Sequence, residues 1–180
     1  MGLFSKLFSK KEKKTEEPKE EKIFFDDEYC RFYYINNPNC EEFGYEGEIE
    51  PESSSGGTEA LGIYIDTDSP ETTEAAKCHA MFRETMADID RFTFDAKKRV
   101  SDFFLLDPGY NGHQSSGQQL MDSMRIFDME FFRNGSIILL IDFPGEHGVY
   151  ASDIHLTINA DGSREIDFKD YNNEKHRHTC

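Results

Sequence analysis

Between Arg125 and Phe168 the chain alternates apolar and polar residues around two glycine turns, and this pattern restricts the fold more than any other stretch. Phe127, Met129 and Phe131 fall on one side of the alternation, and Asp128 and Glu130 on the other. A period of two marks a half-buried strand. Asn134-Gly135 supplies the residues that a type I′ turn requires at positive φ. A two-residue loop there pairs Arg133 with Ser136, which sets Phe131 opposite Ile138 and Met129 opposite Leu140. Residues 137–141 are apolar without a break, as in a strand covered on both faces. In the second hairpin a two-residue Asp161-Gly162 loop would set Ile158 against Glu165. A three-residue loop of Ala160, Asp161 and Gly162, with Gly162 left-handed, instead pairs Asn159 with Ser163 and Leu156 with Ile166. Two hairpins with turns of different type are therefore expected.

Three further strands are expected upstream. Residues 24–35 are rich in aromatic strand formers, residues 43–49 alternate with an acidic outer face, and residues 61–65 alternate again. Ser69-Pro70-Glu71 reads as a helix start. Ala75, Cys78, Phe82, Met86, Ile89 and Phe92 form one apolar stripe, and Ala96, Val100 and Phe103 continue it past a kink expected near Thr93. Asp107-Pro108-Gly109 ends the helix, and residues 110–119 read as a polar loop. The sum is an α+β fold: an antiparallel sheet of about seven strands packed on one long helical segment. The expected domain spans 23–170, between a disordered leader (1–22) and a flexible tail (171–180).

Charge narrows the function. The net charge is −16, yet residues 1–14 hold five lysines and one glutamate, which leaves −20 on residues 15–180. A body this acidic is unsuited to nucleic acid, whose phosphates must be neutralised by Lys and Arg, and suits a basic protein partner. In the leader, Leu3, Phe4, Leu7 and Phe8 share one face of a two-turn helix followed by lysines. That composition suits peripheral contact with an anionic membrane surface. Cys30, Cys40, Cys78 and Cys180 form no paired framework, which points to reduced thiols in a cytoplasm.

Chemistry-bearing residues are few. His147, in Pro144-Gly145-Glu146-His147-Gly148, follows Asp142, and His113 sits in the polar loop; together they are the candidates for acid–base work. His176, His178 and Cys180 are candidate metal ligands. Nucleophile elbows, phosphate loops and dinucleotide fingerprints are absent from the sequence, and no cofactor is expected.

The run Gly44-Tyr45-Glu46-Gly47-Glu48-Ile49, followed by an acid-rich helix, Asn134-Gly135-Ser136, His147-Gly148 and Asp161-Gly162, resembles the bacterial domain-of-unknown-function family 2262 and related immunity-like proteins. The resemblance covers roughly residues 43–168. It departs at 144–148, where the aromatic, acidic turn of that family is shortened. It implies a bacterial cytosolic binding protein and assigns no catalytic residue. The expectation is thus a non-catalytic, acidic protein-binding domain of immunity-like type. The alternative is a small hydrolase or metal-assisted enzyme with His147 as acid and base.

Overall fold

A computed structural model describes residues 23–37, 42–50, 60–70, 73–107, 109–111, 115–143 and 149–180. Among the described residues nine strands form one sheet: β1 (Phe24–Asp26), β2 (Arg31–Asn37), β3 (Glu42–Ile49), β4 (Leu61–Asp66), β5 (Arg125–Phe131), β6 (Ile137–Asp142), β7 (Ala151–Ile158), β8 (Arg164–Asp170) and β9 (Lys175–Thr179). Their order in the sheet is their order in the sequence. Between β4 and β5 run α1 (Thr73–Ala87), α2 (Ile89–Leu106) and α3 (Gly117–Ser123).

The α+β class holds, while the arrangement differs from seven antiparallel strands. The helices return the chain to the end of the sheet where β4 began, so β4 and β5 pair in parallel, from Gly62↔Asp128 to Ile65↔Phe131. Parallel neighbours need such a crossover, and antiparallel ones need only a turn. Residues 24–35 are not one strand. The amide of Asp27 donates to the Cys30 carbonyl at 2.9 Å, and the segment folds back on itself as β1 and β2. Residues 171–180 are not a flexible tail, because β9 pairs with β8 from Lys169↔Lys175 to Glu165↔Thr179.

The two turns expected to differ are the same. In the second, Asn159 and Ser163 close the three-residue loop as expected, with Gly162 at φ 83°. In the first, Phe132 and Ser136 close Arg133-Asn134-Gly135, and only Gly135 takes positive φ, at 88°. The register follows: Phe131 pairs with Ile137 and Met129 with Leu139. Side chains account for the choice. Asn134 Oδ1 accepts from the Ser136 amide and hydroxyl at 2.9 and 2.7 Å, and Asp161 Oδ1 does the same for Ser163 at 2.9 and 2.6 Å. An Asx cap of this kind holds the first turn residues right-handed and leaves glycine to take the left-handed position. The β8–β9 turn repeats the plan, with Asp170 capping and Asn173 at φ 62° in place of glycine.

All three helices pack on one face of the sheet. There Phe32, Ile63, Ile65, Met129, Phe131, Leu139, Leu156 and Ile166 meet Cys78, Phe82, Val100, Phe104 and Leu120 in a single core. Phe82 lies edge-on to Phe32 and Phe131 at 5.2 and 5.8 Å. The helical break falls at Asp88 (φ −138°, ψ 46°) and not near Thr93, whose hydroxyl bonds back to the Ile89 carbonyl at 2.8 Å within an unbroken turn. α1 is described from Thr73, and Pro70, expected as the first helical residue, lies in a turn. Part of the expected polar loop is α3, capped by Ser116 and Gln119 in a reciprocal capping box. β6 is covered on one face only among the described residues: Leu139 and Ile141 are buried, whereas Ile138 and Leu140 are half-buried on the side away from the helices.

Candidate functional site

The uncovered face owes its main feature to a β-bulge. Arg125 pairs with Asp142 and Ile126 with Ile141, but the next partner, Leu140, faces Asp128, so Phe127 is the extra residue. A bulge turns consecutive side chains the same way. Ile126 therefore packs against the core, and Phe127, expected on the buried side, is exposed on the open face beside Asp128.

Phe127 and Asp128 form one wall of a groove of about 1640 Å³ that runs across β2 to β5. Ile23, Tyr33, Glu46, Glu48 and Tyr64 line the remainder. Its floor is opened by Gly62. A Cβ there would stand 3.0 Å from the Asp128 carboxyl carbon and Oδ1, so the carboxyl lies flat over a strand position that has no side chain. Glycine inside a strand marks such close approaches.

The electrostatics of the groove are one-sided. Its arginines are engaged at its ends: Arg31 forks onto Asp26 at 2.5 and 3.2 Å, and Arg125 onto Asp142 at 3.1 and 2.6 Å. Each also lies over a ring, Arg31 above Phe24 at 4.6 Å and Arg125 above Phe127 at 5.8 Å. Glu46, Glu48, Glu50 and Asp128 set the sign between them. Asp128 Oδ1 is buried without a hydrogen-bond partner among the described residues. Burial pushes this carboxyl above its ordinary range, and the Met129 amide offsets only part of the effect. A buried acceptor left unsatisfied is costly, on the order of 1–3 kcal/mol.

Of the residues singled out from sequence, the described ones do not form a reactive set in the groove. Asp142 is held by Arg125 in a cross-strand ion pair at the groove's end, and His147 and His113 lie outside the described residues. Leu3, Phe4, Leu7, Phe8 and Cys40 also lie outside them. The terminal trio does not converge. His176 and His178 stack on Phe168 at 5.2 and 5.8 Å, His178 also meets Phe103 of α2 at 5.1 Å, and burial raises the pKa of the Cys180 thiol. His176 instead joins Asp170 and Glu174, whose ligand atoms lie within 4.8 Å of one another. That cluster closes its own hairpin: Asp170 Oδ1 accepts the amides of Asn172 and Glu174 at 2.8 and 2.9 Å, and Oδ2 lies 3.1 Å from His176 Nε2.

A second acid–imidazole pair ties β1–β2 to α1. Asp27, with its side chain 1 % exposed, lies 2.8 Å from His79 Nε2 and accepts from the Tyr29 amide at 3.1 Å. Burial raises the Asp27 pKa, yet the Tyr29 amide, His79 and Arg83 outweigh it and hold the carboxyl below its ordinary range. Cys30 lies close by. Burial first, and the Asp27 charge second, push its thiol up to about 11, which makes it a poor nucleophile.

No family model, no curated protein and no solved structure matches this chain. The groove, with Asp128 over Gly62, is the candidate that geometry supplies. Sequence reasoning placed Asp128 only on an outer face; the interior glycine of Leu61-Gly62-Ile63 was the signal that pointed to it.

Proposed function

We propose that the protein is a non-catalytic binding protein whose uncovered sheet face takes a basic segment of another protein. The observation that carries this reading is the groove itself: an open acidic and aromatic face whose arginines are paired at its ends and whose central carboxyl has an oxygen with no hydrogen-bond partner among the described residues. A Lys or Arg side chain laid along it meets Glu46, Glu48 and Asp128, and its methylenes meet Tyr33 and Phe127. The strongly acidic body steers such a partner to the face, an effect that salt screens. The resemblance to immunity-like proteins gives the partner a biological form, a cationic toxin domain met in a bacterial cytoplasm. The hydrolase alternative gains nothing from Asp142, which is committed to Arg125.

The test is capture of a defined basic peptide and of cellular partners at low salt, with the chain carrying Glu46→Lys and Glu48→Lys as control. Both residues are exposed, so the double variant stays within about 0.5 kcal/mol of the parent in stability. Binding that is released by salt and abolished in the control is the expected result. Binding that survives the reversal would place the site elsewhere, and loss of a measurable hydrolytic activity in His147→Ala at unchanged stability would favour the enzyme.

A further inference from the structure

The first described residue lies at the rim of the groove. Ile23 is half exposed, lines the groove, and is fixed there by the Tyr34 amide, which donates to its carbonyl at 2.9 Å. The residues that precede it are therefore joined to the fold at the mouth of an acidic, aromatic channel. That preceding stretch is the one strongly basic part of the molecule, with Lys6, Lys10, Lys11, Lys13 and Lys14 after Leu3, Phe4, Leu7 and Phe8.

We propose that residues 3–14 of the chain itself occupy the groove, so that the leader is a resident competitor of the basic partner. The proposal rests on the groove being a site for basic segments, and it adds the occupant present before any partner arrives.

Three observations support it. Charge is complementary: the leader carries +4, and Glu46, Glu48, Glu50 and Asp128 set the sign of the groove between paired arginines. Apolar surface is complementary too: Phe24, Tyr33 and Phe127 are exposed on the same face and would meet Leu3, Phe4, Leu7 and Phe8. The connection is long enough. Fourteen residues lie between Phe8 and Ile23, and the stretch spans up to roughly 50 Å when extended. Residues 15–22 hold four glutamates and two lysines, so the linker is repelled by the groove and leaves it to the lysines.

Energetics favour the intramolecular event. Four apolar side chains and a few exposed charges bind weakly between separate molecules. Tethering at the rim supplies an effective concentration on the order of millimolar, and a weak contact then becomes a populated one. The same apolar face would be needed for contact with an anionic membrane, so lipid and groove compete for the leader.

The chain has no tryptophan, so Phe8→Trp in the full chain gives a single reporter on the leader. Without lipid, the indole is expected to be quenched by acrylamide at least about two-fold less than in the same chain carrying Glu46→Lys and Glu48→Lys. The protection should vanish in about 1 M NaCl, where the Debye length is about 3 Å. Equal quenching in both chains, or protection that appears only with anionic vesicles, would overturn the proposal. A second measurement separates it from the reading on which it rests. A synthetic peptide of alternating Lys and Phe should bind the chain with all five leader lysines changed to Glu about tenfold more tightly than it binds the parent. Equal binding to both, with an unprotected indole, removes the leader from the groove and keeps the partner site. Binding to neither, with an unprotected indole, removes both. Binding to neither with a protected, charge-dependent indole supports the leader as occupant and overturns the partner site.

Discussion

The two faces of the sheet solve opposite problems with the same strands. On the covered face most alternate residues are apolar, and the helices close over them, so Phe32, Met129, Phe131 and Leu156 are fully buried. On the open face the alternate residues are Tyr33, Glu46, Tyr64, Asp128 and Glu130, and a glycine interrupts them at Gly62. One bulge moves Phe127 from the first set to the second. The covered face carries the packing, and on the open face a buried oxygen of Asp128 has no hydrogen-bond partner among the described residues, so the two faces differ in how fully their groups are satisfied.

Substitutions can break or sharpen this contrast. The largest effect is expected at Phe82→Ala, which empties the ring contact between α1 and strands β2 and β5 and should cost about 3–5 kcal/mol in urea unfolding. A loss under about 1 kcal/mol would mean that the covered face does not carry the fold. Next is Asp27→Ala, which leaves His79 and the Tyr29 amide without their acceptor and should cost roughly 1–3 kcal/mol. The Asp27 carboxyl is held below its ordinary 3.8, so its contribution is fully present above that value and is lost as pH falls through the folded pKa. Parent and variant should converge in acid.

Asp128→Asn is the smallest of the three and opposite in sign. The folded pKa lies above 3.8, so ionisation weakens the parent as pH rises past that value. Because the side chain is half-buried and solvent screens it, the asparagine variant should be more stable at pH 7 by up to about 1 kcal/mol. The gain should fade as pH approaches 3.8. Lower stability of the variant at pH 7 would show that Asp128 serves the fold, and the contrast between the faces would weaken.

How much of this was legible depended on the range of the interaction. Alternation in 125–131 and 154–168 correctly gave strands, because burial on one face acts at every second residue. The Ala160-Asp161-Gly162 loop was fixed by parity, since the alternative scrambled the faces. Parity could not decide at Asn134-Gly135, because residues 137–141 are apolar in either register. Two signals were present and unread. Ser116 and Gln119 stand three apart, the spacing of a capping box, and they start α3. Asn134 and Asp161 occupy the same place in Asn-Gly-Ser and Asp-Gly-Ser, and the hydrogen bonds are the same. The bulge at Phe127 left no local mark, because Ile126 and Phe127 suit the core equally. β9 was hidden in Lys175-His176-Arg177-His178-Thr179, whose polarity reads as a tail until Phe168 and Phe103 are placed beside the two imidazoles. For the site, the groove needed β2 to β5 side by side, and no single segment announces that.

The identity of spatial and sequence order has a consequence for how the chain reaches this structure. Seven of the eight strand pairings join consecutive strands with no helix between them among the described residues, over short connections whose closure costs little chain entropy. The eighth, β4 with β5, must wait for the whole helical segment to be gathered. Two meanders can therefore form early and independently, and the slow event is their union along Gly62–Ile65 and Asp128–Phe131. The groove straddles that seam, so it is complete only once β4 and β5 have paired.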